Sequence, residues 1–263
     1  MKLIQSRDNP LFKHLRALVE DARYRREQAA SLLDGDHLLR AALDAGIAPR
    51  RVVLGARAQT QELVTALLER LPPSCELLEL SDALLRQLSP VETPSGVLAE
   101  IALPVPAAVS FAGATGDILL LEGVQDAGNL GTLLRTAAAA GIQQVFLSAQ
   151  CAQAWSPKVL RAGMGAHFVL QIHEHVALDE LLAQWPGEIL ATALDPRAEN
   201  LFAIDLRPPV AWMFGSEGRG LSAGVLACAT RLAQIPMASG TESLNVAAAA
   251  AICLFEQRRQ RSQ

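Results

Sequence analysis

The sequence has 263 residues, of which 51% are hydrophobic and 19% charged, and its net charge is −4. This apolar fraction is sufficient for one large domain or two ordinary ones. The longest apolar stretch, residues 246–255, is about half as long as a bilayer crossing requires, and no secretory signal follows Met1. The four cysteines form no C-x-x-C pair, which argues against a zinc site and a disulfide framework. We expect a globular cytoplasmic protein without a metal or a membrane association.

Positive charge is concentrated near the amino terminus, although the whole chain is acidic. Within the first 28 residues, seven lysines and arginines accompany four acidic side chains. The net charge argues mildly against a nucleic-acid partner, whereas a local basic face favours one. The pattern alone leaves two interpretations open, a solvated helix surface and an RNA contact. The candidate RNA-binding residues are Lys13, Arg16, Arg23, Arg25 and Arg26.

Hydrophobic patterning divides the chain into two parts. Residues 1–102 alternate between short helical and strand patterns and begin with a helix at 10–20, so they predict a small α/β domain. Residues 103–116 are rich in Pro, Ala and Gly and carry almost no charge, which predicts a linker. Residues 117–263 form the second predicted domain.

Continuous apolar strands alternate with helical patterns in the second domain. Examples are residues 118–121, 168–172 and 210–214. This alternation predicts a parallel sheet covered on both faces by helices. Because such sheets bind ligands beyond the carboxyl ends of their strands, the loops at those ends are the candidate functional segments.

The first of these loops enters a predicted helix at residues 130–140. Asn129 is a natural N-cap for that helix, Gly141 is a natural stop, and Gly131 and Arg135 lie four residues apart on one face. An anion near such a helix start would meet free backbone N–H groups and one guanidinium. A well-capped helix with a solvent-facing arginine explains the pattern equally well.

Two further loops have comparable patterns. Residues 214–222 contain three glycines and the carboxylate of Glu217, which permits close backbone approach to a ligand. In residues 235–246, Ser243 and Asn245 can cap the last helix or bind a ligand at its positive end. Each loop also has a purely structural explanation. Their coincidence after strands of one sheet is what favours a binding site.

These loops resemble the three motifs of the SpoU/TrmH family of the SPOUT methyltransferase superfamily. The matching segments are Asn129-x-Gly131-x-x-x-Arg135, Phe214-Gly-x-Glu217-x-x-Gly220-Leu and Ile235-Pro-Met-x-x-x-x-x-Ser243-Leu-Asn-Val. In the amino-terminal part, Asn9-Pro10, Lys13, Gly35 and Thr93-Pro94-x-Gly96-Val97 resemble the small substrate-binding domain of the family. One departure is Ser239, which stands where the family commonly has a glycine, with Gly240 next.

The resemblance implies a carboxyl-terminal SPOUT domain with a deep trefoil knot, a homodimer whose active site is completed across the interface, and S-adenosylmethionine as cofactor. The implied reaction is methylation of a ribose 2'-hydroxyl of RNA, with ribosomal RNA favoured because the chain has a separate amino-terminal domain. The implied catalytic residues are Arg135, Asn129, Glu217, Ser243 and Asn245. The implied cofactor-binding residues are Thr192, Ala193, Leu194, Gly215, Ile235, Met237 and Leu244.

The residue types agree with this chemistry. A ribose hydroxyl is a weak acid, so the site must stabilise or remove its proton while holding its oxygen in line with the methyl group. Arg135 could act as the base or could grip the adjacent phosphate and stabilise the developing alkoxide. Three alternatives stay open: a non-catalytic RNA-binding or ribosome-assembly factor, a tRNA 2'-O-methyltransferase, and a base-modifying methyltransferase.

Overall fold

A computed structural model of the chain describes residues 1–89, 94–109, 111, 116–193, 195–240 and 243–262. The first of two compact units comprises Met1–Val105 and Trp155–Phe168, and the second comprises Pro106–Ala154 and Val169–Gln263. The units differ from the predicted domains chiefly in residues 155–168, which pack with the first unit. The predicted boundaries and the linker, part of which lies outside the described residues, remain predictions.

The first unit is a small α/β structure built on a mixed sheet. The strands follow the order β1-β4-β3-β5-β2, in which β5 is antiparallel to both of its neighbours. The elements are β1 (Lys2–Ile4), α1 (Pro10–Glu20), α2 (Ala22–Gln28), β2 (Ala30–Asp34), α3 (Asp36–Asp44), β3 (Arg51–Gly55), α4 (Glu62–Leu68), β4 (Glu76–Leu80), α5 (Asp82–Leu88) and β5 (Val97–Ala102).

Local sequence signals explain where the first helix begins. The Asn9 side chain accepts a hydrogen bond from the backbone N–H of Leu11, and Pro10 occupies the first helical turn, where its missing N–H has no cost. The helix then buries one apolar face that packs on the sheet, in agreement with its predicted spacing. The buried residues of that face are Phe12, Leu15 and Leu18.

The second unit is built on a parallel sheet. Its elements are β6 (Ile118–Glu122), α6 (Ala127–Ala140), β7 (Gln144–Leu147), β8 (Gln171–His173), α8 (Leu178–Leu182), β9 (Glu188–Thr192), β10 (Glu199–Asn200), β11 (Val210–Gly215), α9 (Ala223–Leu226), β12 (Arg231–Gln234) and α10 (Val246–Arg261). Between β7 and β8 in the sequence, α7 (Pro157–Gly163) belongs to the first unit.

The strand order of this sheet is β10-β12-β9-β11-β6-β7-β8, and each neighbouring pair is parallel. All residues of β11 are buried except Gly215, which is partly exposed, as expected for a strand covered on both faces. A parallel sheet with helical crossovers confirms the predicted α/β class. The trefoil knot implied by the resemblance remains a prediction.

Two details of this unit bear on the sequence-based expectations. The strand expected at residues 168–172 begins only at Gln171, because Ala166–Phe168 forms a turn of 3-10 helix. Among the described helices, none combines the length and apolar composition that a membrane span requires.

Candidate active site

The three predicted loops follow the carboxyl ends of strands β6, β11 and β12 in the parallel sheet of the second unit. β11 lies between β6 and β9, and β9 is followed in the sheet by β12. The loops after β6, β11 and β12 therefore emerge at one edge of the sheet. This is the position at which parallel α/β sheets bind ligands.

A hydrogen-bonded cluster joins these three loops. The Glu217 Oε1 atom accepts hydrogen bonds from Asn129 Nδ2 at 2.7 Å and from Asn245 Nδ2 at 2.6 Å. Asn245 Nδ2 also donates to Asn129 Oδ1 at 3.0 Å. One residue from each loop thus meets the other two, although they are far apart in the sequence. The second oxygen of Glu217 accepts no hydrogen bond from the described residues.

Asn129 has a different local role from the one its position suggested. The N-cap of α6 is Asp126, whose Oδ1 accepts a hydrogen bond from the Asn129 backbone N–H at 2.7 Å. The helix therefore begins three residues earlier than expected, and Asn129 lies in its first turn. Because the cap is supplied by Asp126, the Asn129 side-chain oxygen is available to accept from Asn245, while its nitrogen donates to Glu217. The predicted stop is confirmed, since Gly141 has a φ of 93°.

Asn245 combines capping with its place in the cluster. Its Oδ1 accepts hydrogen bonds from the backbone N–H groups of Ala247 at 3.0 Å and Ala248 at 3.3 Å, at the start of α10. Its Nδ2 group points to Glu217 and Asn129. The capping role predicted for Asn245 is confirmed, and the cap also fixes the orientation of the amide.

The loop after β11 closes tightly on itself. The Gly220 N–H donates to the Ser216 carbonyl at 2.8 Å. A Cβ atom at Gly215 would lie 2.1 Å from the Gly220 carbonyl carbon, so a side chain at that position requires a backbone shift. The Ser222 N–H donates to Glu122 Oε2 at 2.7 Å and connects the loop to the end of β6. These contacts position Glu217 at the tip of the turn.

A small pocket of about 130 Å³ lies beside this cluster. Its described lining contains no charged residue and consists of Thr192, Ala193, Ala233, Gln234, Ile235, Met237, Ser243, Leu244 and Ala249. Five of the predicted cofactor-binding residues are in this lining, together with Ser243. Gly215 is not in it, and Leu194 lies outside the described residues. The volume is below the ~300–1,000 Å³ of pockets that enclose a whole small ligand, so this pocket fits a partly enclosed one.

A second, larger cleft of about 590 Å³ has a polar lining. It is bounded by the loop after β6 and the loop after β11, together with Gln150. Its lining is Glu122, Gly123, Gln125, Asp126, Gln150, Ser216, Glu217, Gly218, Arg219, Gly220 and Ser222. Glu217 lines this cleft and Ser243 lines the smaller pocket, while Asn245 is bonded to Glu217. The cluster therefore lies between an apolar pocket and a polar cleft.

The two loops that the sequence singles out, residues 122–135 and 214–222, contain ten of the eleven described lining residues of the polar cleft, and Gln150 is the exception. Glu122 ends a strand and Asp126 caps a helix. Because these structural roles explain both residue types, neither residue was singled out as a site residue on its own. Gln125 and Gln150 have no local pattern that indicates a site. The signal that could have identified Gln150 was its position shortly after β7, at the ligand-binding edge.

Arg135 stands apart from the cluster. It is exposed on α6, and its side chain forms no hydrogen bond or ion pair with the described residues. Arg135 and Asn129 are six residues apart on one helix, which separates them by about 9 Å along the axis and by about 120° around it. Gly131, by contrast, is buried in the helix and does not provide an approachable backbone.

The predicted RNA-binding residues have local partners in most cases. Lys13 pairs with Asp8, Arg16 with Glu20, and Arg23 with Glu27. Arg26 is exposed.

Arg25 requires a correction. It is only 4% exposed, and its Nη1 donates to the carbonyls of Leu18 and Val19. A guanidinium that is buried and bonded in this way is not accessible to an RNA phosphate. Sequence patterning missed this because Arg25 stands in a run of basic residues.

The described residues also bear on metal binding. Among them, no group of three or more His, Cys, Asp and Glu side chains is arranged to hold a metal ion.

Comparison with known proteins identifies both parts of the chain. Residues 117–255 match the SpoU rRNA Methylase family, and residues 9–99 match the MRM3-like substrate binding domain. An uncharacterized tRNA/rRNA methyltransferase of Synechocystis is 38% identical over 98% of this chain and 93% of its own length. The 23S rRNA (guanosine(2553)-2'-O)-methyltransferase RlmP of Bacillus subtilis is 31% identical over 98% of this chain and all of its own.

Solved structures agree with the sequence relatives. The chain is similar to the crystal structure of an RNA 2'-O ribose methyltransferase, with a TM-score of 0.84 and 32% identity over 99% of this chain and 100% of that one. It is also similar to an AdoMet-bound rRNA methyltransferase from Sinorhizobium meliloti, with a TM-score of 0.82 and 29% identity over 98% of this chain and 97% of that one. The two parts of the chain, its three motifs and its fold lead to one conclusion: the chain belongs to the SpoU rRNA methylase family.

Proposed function

We propose that this chain transfers a methyl group from S-adenosylmethionine to a ribose 2'-hydroxyl of ribosomal RNA. The observation that carries the proposal is the Glu217 carboxylate, which two amides hold between an apolar pocket and a polar cleft. RlmP, which is similar over the whole chain, is a 2'-O-methyltransferase of 23S rRNA, and an AdoMet-bound rRNA methyltransferase is among the similar structures.

The smaller pocket has the chemistry that a methyl-donor site needs. Ala193, Leu244 and Ala249 supply apolar surface for a flat ring, while Thr192 and Ser243 supply hydroxyl groups. The bound donor would supply an electrophilic methyl group on a sulfonium sulfur. Thr192, Ala193, Ile235, Met237 and Leu244 would hold it, largely through their main chain, with Gly215 providing close backbone approach and Leu194 assigned from the resemblance alone.

The polar cleft would hold the acceptor nucleoside. Its volume of about 590 Å³ lies within the ~300–1,000 Å³ of small-molecule sites. Glu217 lines this cleft, and its second carboxylate oxygen would accept a hydrogen bond from the ribose hydroxyl and orient the oxygen toward the donor pocket. Asn129 and Asn245 fix the carboxylate, so their role is to position it. Ser243 would orient the loop between the two sites.

Arg135 would act in the site of a second subunit. The rotation of about 120° and the separation of about 9 Å from Asn129 place its side chain away from the cluster of its own subunit. A homodimer in which α6 lies near the partner's loops would bring the guanidinium to the acceptor. There it would grip the phosphate beside the methylated ribose and stabilise the developing alkoxide.

The relatives support a more specific proposal for the substrate and the compartment. RlmP modifies a guanosine of 23S rRNA, and RlmB of Bordetella pertussis, 34% identical over 55% of this chain, is named a 23S rRNA (guanosine-2'-O-)-methyltransferase. We therefore extend the proposal to a guanosine of large-subunit ribosomal RNA. The cytoplasm, where bacterial ribosomes are assembled, is the corresponding location.

Product analysis tests the function directly. The purified chain is incubated with methyl-labelled S-adenosylmethionine and with 23S rRNA or, separately, tRNA. The RNA is then digested to nucleosides that are identified by mass spectrometry. We expect label on 2'-O-methylguanosine from 23S rRNA. The Glu217→Gln variant should give less than about a hundredth of that label, because a neutral amide is a much weaker acceptor for the hydroxyl proton than a carboxylate is.

Three outcomes would contradict the proposal and indicate an alternative. A methyl group on the base would indicate a base-modifying enzyme, and efficient labelling of tRNA alone would indicate a tRNA enzyme. Absence of S-adenosylmethionine binding in calorimetry, with RNA binding retained, would indicate a non-catalytic assembly factor.

A further inference from the structure

A separate cleft of about 320 Å³ lies at one edge of the sheet in the first unit. The residues Gly55 and Leu80 end the paired strands β3 and β4, and the cleft opens beyond them. Side chains and backbone from three segments line it. The lining includes Gly55, Arg57, Gln61, Asp82, Arg86 and Ser95.

Backbone contacts shape the floor of this cleft. The Gly55 N–H donates to the Gly96 carbonyl at 2.8 Å, and the Gly35 N–H donates to the Val97 carbonyl at 2.9 Å. Gly96 has a φ of +83°, and a Cβ atom there would lie 3.1 Å from the Ala58 Cβ. Gly96, which the sequence marks as family-like, therefore lines the cleft in a backbone conformation that favours glycine. Gly35, the second such glycine, is hydrogen-bonded to Val97, the residue after Gly96.

Within the described part of the chain, the two arginines of the cleft have no hydrogen-bond or ion-pair partner, whereas most arginines of this unit have one. Arg57 and Arg86 are exposed, and the side chain of neither forms a hydrogen bond or ion pair with the described residues. Arg51, by contrast, binds both Glu76 and Glu100, and Arg70 binds Asp44. An arginine without a protein partner keeps its full capacity for bidentate binding of a phosphate.

The remaining polar groups of the cleft suit RNA rather than a simple anion. The described lining contains two guanidinium groups, those of Arg57 and Arg86, and one carboxylate, that of Asp82. A carboxylate accepts hydrogen bonds from a 2'-hydroxyl or a base amino group, and Gln61 can donate or accept. The cleft therefore offers cations for the phosphates and acceptors for the sugar or base.

We propose that this cleft is where the first unit binds RNA, with Arg57 and Arg86 on backbone phosphates and Asp82 on a sugar or base donor. The inference rests on the proposed function, because it takes the RNA substrate as the ligand. It replaces the surface of α1 and α2 as the main contact. On that surface Arg16 and Arg23 already bind Glu20 and Glu27, so a phosphate must compete with a carboxylate one helical turn away.

The test compares two double variants of the full chain that remove the same charge. Arg57→Gln/Arg86→Gln changes the cleft, and Arg16→Gln/Arg23→Gln changes the helix surface. Binding to a radiolabelled 23S rRNA transcript is measured by filter retention over a series of KCl concentrations, without the methyl donor. Thermal melting checks that both variants fold, and since all four arginines are exposed, both should melt as the wild type does.

The cleft variant should lose about tenfold or more in affinity. The slope of log affinity against log salt should become shallower by roughly 1.5, because two phosphate contacts are lost. The helix variant should change affinity less than about twofold. The proposal is overturned if the cleft variant binds as the wild type does, or if its loss is no greater than that of the helix variant.

A double lysine variant distinguishes the loss of charge from any other effect of replacing the two arginines. Arg57→Lys/Arg86→Lys keeps both charges and should retain most of the salt-dependent affinity. A loss equal to that of the glutamine pair would overturn the assignment to phosphates.

Methyl transfer by the same variants separates this inference from the proposed function. If the cleft variant methylates 23S rRNA with an unchanged KM, only the proposed RNA contact in the cleft is refuted. If the wild-type chain binds RNA through the cleft but does not methylate it, only the proposed methyl transfer is refuted.

Discussion

Asn245 performs two tasks with one amide group. Its oxygen caps α10, and its nitrogen donates to Glu217 and Asn129. The cap fixes the direction in which the amide nitrogen points, so the start of the last helix also determines the geometry of the hydrogen-bonded cluster. If the cluster is the proposed active site, we expect stability and activity to be coupled through this single side chain.

Substitution of Asn245 separates the two tasks. Asn245→Asp keeps an oxygen acceptor for the cap but removes the donor and places a second carboxylate beside Glu217. We expect stability near that of the wild type and a loss of methyl transfer of about a hundredfold or more. Asn245→Ala removes the cap as well and should lower the free energy of unfolding by about 1 kcal/mol. Urea titration and turnover assays check both, and an aspartate variant with full activity would contradict the role of the donor.

Arg135 tests the distinction between donor binding and catalysis. Because Arg135 lies outside the lining of the proposed donor pocket, Arg135→Ala should leave the dissociation constant of S-adenosylmethionine near normal and remove most turnover. Calorimetry measures the first quantity and methyl transfer the second. Arg207→Ala removes an exposed arginine that pairs with Asp205 and serves as the control. Unchanged turnover in the Arg135 variant would refute its assignment.

The site residues could be located from the sequence better than their local roles could be explained. Asn129 was identified as a functional residue from its motif, but Asp126 supplies the helix cap that was assigned to it. Two capping residue types stand three positions apart, and only the backbone conformation decides between them. Arg25 shows the same limit, because burial depends on the neighbouring helix and not on a local charge run.

At the scale of elements, the turn after β11 depends on the absence of a side chain at Gly215. Its Cβ atom would lie 2.1 Å from the backbone of Gly220. Gly215→Ala should therefore destabilise the chain by about 1–3 kcal/mol and weaken S-adenosylmethionine binding, since the loop must open. Gly224→Ala is the matched control, because a Cβ there has nothing within 4 Å. Melting and calorimetry test both, and equal behaviour of the two variants would count against a close-packed turn.

The last helix contains an acid-sensitive contact. Hydrogen bonds from Arg259 lower the pKa of Glu256 from 4.5 to about 2, against the opposing effect of burial and with a further contribution from Gln260. A carboxyl with a depressed pKa in the folded state stabilises the fold above its unfolded pKa, and this contribution is lost as the pH falls.

Glu256→Gln should reveal that contribution. The variant should be less stable than the wild type at neutral pH, and the difference should shrink between about pH 4.5 and pH 2 and then vanish. Urea unfolding at several pH values measures it. Glu180→Gln, which changes an exposed carboxylate on α8, should show no such convergence. A difference that stays constant with pH would contradict the role of the ion pair.

The type of element was predictable where the hydrophobic period was long. α1 and the buried strands β6 and β11 agree with their patterns because burial on one or both faces imposes the period. β8 was misplaced because its apolar neighbours form a 3-10 turn, which has no period of its own. The two loops that form most of the polar cleft could be predicted because they follow strands of one sheet, whereas Gln150 could not, since its loop carries no pattern of its own.

At the scale of the whole molecule, the proposed dimer can be tested by mixing two inactive variants. If Arg135 serves the partner's Glu217 cluster, a heterodimer of Arg135→Ala and Glu217→Gln contains one intact site. Equal amounts that exchange subunits freely should recover roughly a quarter of wild-type turnover, since half the dimers are mixed and half of their sites are intact. Sedimentation should give a dimer mass. A monomer, or no recovery after demonstrated exchange, would contradict the shared site.

The position of α7 limits where the chain can be cut to separate its two units. Residues 155–168 lie between strands β7 and β8 in the sequence but pack with the first unit, where the Ser31 hydroxyl donates to the Trp155 carbonyl at 2.6 Å and Arg161 pairs with Asp34. A single cut near residue 105 would leave the carboxyl-terminal fragment with a helix whose apolar residues Val159 and Leu160 have lost their cover. Such a fragment would tend to aggregate. Removal of the amino-terminal unit would therefore also require that residues 155–168 be replaced by a short loop.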